Sequence, residues 1–151
     1  MSLIPGYNTP LFSLNWLKTK GRLVDIVDGD TVYIVLPLFN SHFKFNCRIS
    51  SIDTCEKRGE NKQLGIDATN FSYYFFTGKE NLDRKNLKLE LDTNPVIIDV
   101  ECFTFDKYGR LLVNIYFNGL SIAEELVKHK LAYIYNGGHK LNNDEQRVTL
   151  R

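Results

Sequence analysis

Three short segments hold the side chains most able to do chemistry: Asp28-Gly29-Asp30-Thr31, Arg48 leading to Ile52-Asp53-Thr54-Cys55-Glu56, and Asp106-Lys107-Tyr108-Gly109-Arg110. Together they supply carboxylates for a cation, a further carboxylate for a base, and two arginines. Hydrolysis of a phosphodiester asks for that set. A hard divalent cation takes oxygen ligands, a positioned carboxylate accepts a proton from water, and donors that stay cationic hold the charge developing on phosphorus. Each segment alone has a plainer reading: an Asx turn for Asp28 and Asp30, a surface ion pair for either arginine, and pairing of Glu56 with Lys57 or Arg58.

The elements that must carry these residues follow from periodicity. Leu23 to Val27 and Val32 to Leu36 are β-branched runs on either side of an Asp-Gly turn, which predicts a hairpin. Phe43, Phe45, Cys47 and Ile49 alternate with Lys44, Asn46 and Arg48, so period two places Arg48 on the face away from the core row. From Leu64 the spacing becomes helical through Ala68, Phe71 and Phe75, with Gly78 as the C-cap. Core packing is the expected use of this helix; stacking of nucleic acid on Tyr73, Tyr74 and Phe76 is the alternative. Strands are expected again at 87–91, 97–103 and 111–117, with Asn94-Pro95 and Asn118-Gly119 as breaks. Ser121 to Glu124 reads as a capping box opening a helix to about Lys130.

The three motifs, in register from Gly21 to about Tyr135, resemble the staphylococcal-nuclease-like family. That resemblance implies a mainly β, α+β fold: a five-stranded OB-type Greek-key barrel with two or three helices packed on it. It implies that Asp30, Asp53 and the backbone carbonyl of Thr54 bind calcium. Glu56 corresponds to the general base, and Arg48 and Arg110 to the arginine pair at phosphorus. Lys107 and Tyr108 match groups that contact a substrate phosphate, and Tyr133 and Tyr135 match nucleotide-stacking tyrosines. The implied activity is a calcium-dependent endonuclease acting on DNA and RNA, single strands preferred, with little sequence preference and 3′-phosphate ends. The alternative is an OB-fold module that binds nucleic acid or a protein without cutting. One departure lies inside the site: Cys55 stands where the family pattern has proline, which frees φ and adds a backbone donor. Its thiol could bind softer metals or oxidise.

At 151 residues the chain has the size of one domain with its own core. We read residues 1–20 as an N-terminal extension, covering part of the barrel or docking a partner, and 21–151 as the nuclease-like domain. A formal net charge of +1 excludes a generally basic nucleic-acid binder, so phosphate affinity must be local. Lys57, Arg58 and Lys62 form one candidate cluster, and Lys79, Arg84, Lys85 and Lys88 another. Cys47, Cys55 and Cys102 have no paired spacing, which favours free thiols in a reducing compartment. His42, His129 and His139 form no zinc motif. Polar residues interrupt the apolar start, so neither a signal peptide nor a membrane span is expected, and the expected location is intracellular, cytoplasmic. A monomer is expected.

Overall fold

The computed structural model describes residues 3–151; Met1 and Ser2 of the expected extension lie outside the described residues. Along the chain run β1 (Lys18–Asp28), β2 (Thr31–Leu38), β3 (Ser41–Ile49), β4 (Ile52–Asp53), α1 (Lys62–Thr77) and α2 (Leu87–Thr93). There follow β5 (Val96–Phe105), β6 (Leu111–Phe117), β7 (Leu120–Ser121), α3 (Ile122–Lys128), β8 (Tyr133–Ile134) and α4 (Asn143–Thr149).

Strand order β3-β2-β1-β5-β6 is antiparallel throughout, and a parallel pairing of β3 with β6 at residues 47–49 closes the ring. The result is the expected mainly β, OB-type barrel. Closure removes the free sheet edges that a five-stranded open sheet would expose. Two register shifts in β1, at residues 23–25 and 26–28, bend it around the ring. Alternate residues then fill the interior: Leu23, Ile34, Cys47, Ile98 and Ile115 are each at most 1% exposed. Leu14, in the segment before β1, is also buried, while Tyr7, Leu11 and Phe12 around it stay exposed.

One expected strand is a helix. Leu87, Leu89 and Leu91 alternate as a strand would, but Leu87 and Leu91 are also one helical turn apart. Both are buried in α2, and Leu89 is left exposed. The carbonyls of Leu91 and Asp92 at its end accept from the Arg22 guanidinium.

Helix α1 buries small residues, Gly65, Ala68, Thr69 and Ser72, together with Tyr73 and Phe76. This stripe is rotated from the expected Leu64-Ala68-Phe71-Phe75 row. Small side chains let the helix lie close on the β1–β2 hairpin: a Cβ on Gly29 would come 2.7 Å from that of Ala68. Of the aromatic residues considered for stacking, Tyr73 and Phe76 are core, and the Tyr73 hydroxyl donates to Glu90; only Tyr74 is open. Gly78 caps the helix in the left-handed conformation, as expected. Ser121 caps α3 by accepting from the Glu124 amide. The two-way capping box forms instead at α4, between Asn142 and Glu145, a helix beyond the expected elements. Among the described residues no helix is long and apolar enough to cross a membrane.

Candidate active site

Hairpin geometry sets the first acid. β1 ends at Asp28 and β2 starts at Thr31, so Gly29 and Asp30 make the turn. Thr31 pairs across the sheet with Arg48, which brings turn and arginine together on one face. Arg48 is on the non-core face, as parity requires, yet it is only 7% exposed. One edge of its guanidinium is fixed by the carbonyls of Ile49 and Ile52, at 3.1 and 2.9 Å. Nη2 lies 2.9 Å from Asp53 and 3.4 Å from Asp30, bridging the two acids. Asp30 also accepts from the Thr31 hydroxyl and the Thr54 amide.

Asp53 is positioned by a two-residue sheet. β4 pairs antiparallel with β8, setting Asp53 directly opposite Tyr133. The Tyr133 hydroxyl donates to Asp53 Oδ2, while Arg48 and, at 3.4 Å, Lys140 Nζ approach Oδ1. Tyr133 therefore holds Asp53 from behind and borders neither cavity, with no open stacking face: it is 5% exposed. Burial first, then the bond and charge of Asp53, push its hydroxyl pKa upward and keep it a donor.

The segment carrying Glu56 runs under α1. A Cβ on Gly65 would sit 2.2 Å from the Glu56 carbonyl oxygen and 2.6 Å from that of Cys55, so the helix and the loop touch backbone to backbone. Cys55 is buried, and its thiol donates to Gln146 Oε1 at 3.3 Å. Burial, with Asp53 nearby, pushes it up to about 11, so it is a neutral thiol at physiological pH and a poor metal ligand. The Glu56 side chain is 76% exposed at the cavity mouth, 3.5 Å from Arg58.

Asp106 builds the third motif. It accepts from the amides of Tyr108 and Arg110 and from Arg110 Nε, each at 2.9 Å. Burial opposes its charge, but those donors outweigh it and hold the carboxyl below its usual range. Gly109, at φ 80, makes the turn that a side chain would strain.

These parts converge. Asp28, Asp30, Arg48, Asp53, Thr54, Glu56 and Arg110 line one cavity of about 340 Å³. Arg48, Arg110 and Lys140 also border an adjoining cavity of about 650 Å³, with Lys107, Tyr108 and Tyr135. Each tyrosine carries cations over its ring: Arg110 and Lys107 over Tyr108, Arg48 and Lys140 over Tyr135. An anionic, flat-faced ligand fits that lining. Of the two basic clusters, Arg58 borders the smaller cavity, while Lys57 and Arg84 donate to carbonyls of Ile26 and Val27 at the end of β1.

The donor set suits a hard cation. Burial, reinforced by the hydrogen bond and charge of Asp28 and opposed by Arg48, pushes Asp30 up to about 6. A carboxylate crowded by a second acid is an environment that a bound cation relieves. Asp30, Asp53 and the Thr54 carbonyl offer oxygen only, as calcium and magnesium prefer. Among the described residues no three His, Cys, Asp or Glu side chains are grouped to hold a metal ion.

A family model described as staphylococcal nuclease homologue matches residues 46–151. The chain belongs to the staphylococcal nuclease family. It is 31% identical over 141 residues to an uncharacterised protein of Methanocaldococcus jannaschii, covering 82% of this chain and 63% of that one. It is 30% identical over 134 residues to endonuclease YncB of Bacillus subtilis, covering 82% of this chain and 55% of the relative. To the prophage-derived endonuclease YokF of the same organism it is 32% identical over 142 residues, with 84% and 42% covered. The chain thus spans roughly half the length of the curated relatives it matches.

In this staphylococcal nuclease homologue several residues lining the site carry no motif. Lys140, Asn61 and Gln146 reach the cavity from outside the three segments. The Asn-x-x-Glu pattern at 142–145 was the one available signal, since it announces the helix that carries Gln146.

Proposed function

We propose that the chain is a cation-dependent endonuclease that hydrolyses phosphodiester bonds of DNA and RNA. In this reading calcium is the cation, single strands are preferred, and 3′-phosphate ends are left. The observation that supports it best is convergence: two buried acids, a third acid at the mouth and two arginines line one open cavity. Its neighbour offers tyrosine faces and cations for the strand. The endonuclease names of two relatives point the same way.

Glu56 takes a proton from water at the cavity mouth, and the resulting hydroxide attacks phosphorus. Arg48, held on one side by two carbonyls, turns Nη2 from Asp30 and Asp53 to a phosphate oxygen. Arg110, oriented by Asp106, holds a second oxygen and the departing 5′-oxygen as the P–O5′ bond breaks, and that oxygen takes a proton from water to leave as the 5′-hydroxyl. Guanidinium suits both positions, being always charged and forked. A cation held by Asp30, Asp53 and the Thr54 carbonyl would add positive charge against the phosphate. Lys107, Tyr108 and Tyr135 hold the adjoining phosphate and base.

A binding module is the second reading, favoured by one observation: Nη2 of Arg48 already contacts both acids, and Glu56 is turned toward Arg58. Initial rates on single-stranded DNA with calcium, beside fluorescence anisotropy, separate the two. Glu56→Gln should lower kcat by about 10²–10⁴ with an unchanged Tm, because the side chain is exposed. Binding without turnover in the unmutated protein would favour the module and end the enzyme reading.

A further inference from the structure

We infer that Gln146, on the C-terminal helix, is a positioning residue that sets the cation-binding acid and the base-bearing loop together. Its carboxamide meets the base-bearing loop, and its helix packs against the residue that holds the acid. Oε1 accepts from the Cys55 thiol at 3.3 Å, between Thr54 and Glu56 in sequence. The Tyr133 hydroxyl, which donates to Asp53, belongs to a ring packed in one apolar cluster with Cys55 and with Leu150 at the end of α4. Gln146 is fixed in turn: Asn61, 6% exposed at the start of α1, donates to its Oε1 at 2.8 Å and to the Asn143 carbonyl at 3.0 Å. Helix α4 thus reaches Asp53 through one intermediary and the Glu56 loop through another.

The packing fits this role. Cys55, Tyr133 and Leu150 form a small apolar cluster of their own, apart from the barrel core, with Leu64, Tyr135 and Leu141 against it. This cluster is the floor beneath the loop where proline is replaced by Cys55. Side-chain contacts from α4 hold a backbone that a ring would otherwise restrict. Outer-shell partners of ligating carboxylates tune affinity in the same way, typically by 10- to 100-fold.

The inference rests on the proposed cation-dependent reading, so its test measures cation binding apart from turnover. Gln146→Met keeps length and volume but removes the hydrogen bonds, and Tyr133→Phe cuts the link to Asp53. Val148→Ala is the control: it trims an exposed side chain of the same helix and leaves Asn61, Tyr133 and Cys55 untouched. Calcium titration by calorimetry, without substrate, should show affinity about 10-fold or more weaker in Gln146→Met and Tyr133→Phe. The double variant should be no weaker than the worse single one. In Val148→Ala it should be nearly unchanged. Gln146→Met should also lower kcat more than it raises KM. Equal calcium affinity in Gln146→Met and the unmutated protein would overturn the inference alone, as would an equal loss in Val148→Ala. No calcium binding by the unmutated protein would overturn the cation-dependent reading and the inference with it.

Discussion

Gly65→Ala sets two physical effects against each other. In a helix interior alanine is favoured over glycine by about 1 kcal/mol, so local propensity predicts stabilisation. The structure predicts the reverse. The added Cβ would meet the Glu56 carbonyl oxygen at 2.2 Å and its carbon at 2.5 Å, and ordinary contact begins near 3.4 Å. Backbone cannot swing aside as the tip of a side chain does. Overpacking of a tight contact costs about 1–3 kcal/mol, and this contact belongs at the upper end. A net loss of about 2 kcal/mol follows, or a fall in Tm of about 4–8 °C for a domain of this length.

The functional consequence is separable from the stability loss. To restore contact the Cys55–Glu56 backbone must retreat by about 1 Å from α1, and a misplacement of that size can cost about 10² in rate. Gly78→Ala is the matched control. At φ 73 it costs about 1–2 kcal/mol in the left-handed conformation, yet nothing lies within 4 Å of its Cβ and it is remote from the loop. Thermal unfolding by circular dichroism gives the stability of both. Initial rates at saturating single-stranded DNA, taken below both transitions, give kcat. Gly65→Ala should lose about 10- to 100-fold in kcat, and Gly78→Ala should lose none. A rise in Tm for Gly65→Ala, or equal kcat in the two variants, would refute the claim that backbone contact with α1 places the Glu56 loop.

Two further outcomes are expected. Lys140→Ala removes a half-exposed cation shared by both cavities, so KM should rise with kcat nearly unchanged. The slope of log KM against log salt should shrink by about 0.7, one phosphate contact on a single strand; an unchanged slope would remove Lys140 from the substrate path. Glu90 accepts from Tyr73 at 2.7 and 2.9 Å and from Lys79 at 3.0 Å, and the Tyr73 hydroxyl foremost holds its carboxyl below the ordinary 4.5. A carboxyl depressed in the fold adds stability above its unfolded pKa and loses it as pH falls through the folded one. Stability should therefore decline with acid below about pH 4.5, and Glu90→Gln should flatten that slope in a Tm-versus-pH series. An unaltered slope would mean that other acids carry it.

What the sequence revealed depended on whether a side chain's job is set by its own strand or by a distant neighbour. Arg48 was placed on the non-core face because strand parity is local, and the β2–β3 register bears this out. Parity carries no information about what later covers that face. Burial of Arg48 to 7% exposure comes from Asp30, 18 positions earlier, and from Asp53 and the carbonyls of Ile49 and Ile52. The same limit explains residues 87–91, where three leucines satisfy both a strand and one helical turn until the packing of Leu87 and Leu91 chooses. It explains Tyr133 as well. Two tyrosines spaced as a pair in sequence fall on opposite sides of the problem, because pairing of β8 with β4 aims one hydroxyl at Asp53 and leaves Tyr135 facing the neighbouring cavity. Gln146 left the weakest trace of all. A lone glutamine has no spacing to read, and its meaning arises only when α4 docks against Cys55, Asn61 and Tyr133, whose separations from it in sequence run from 13 to 91 residues. Motifs thus exposed the groups expected to meet a phosphate, while the contacts that aim those groups come from long-range packing.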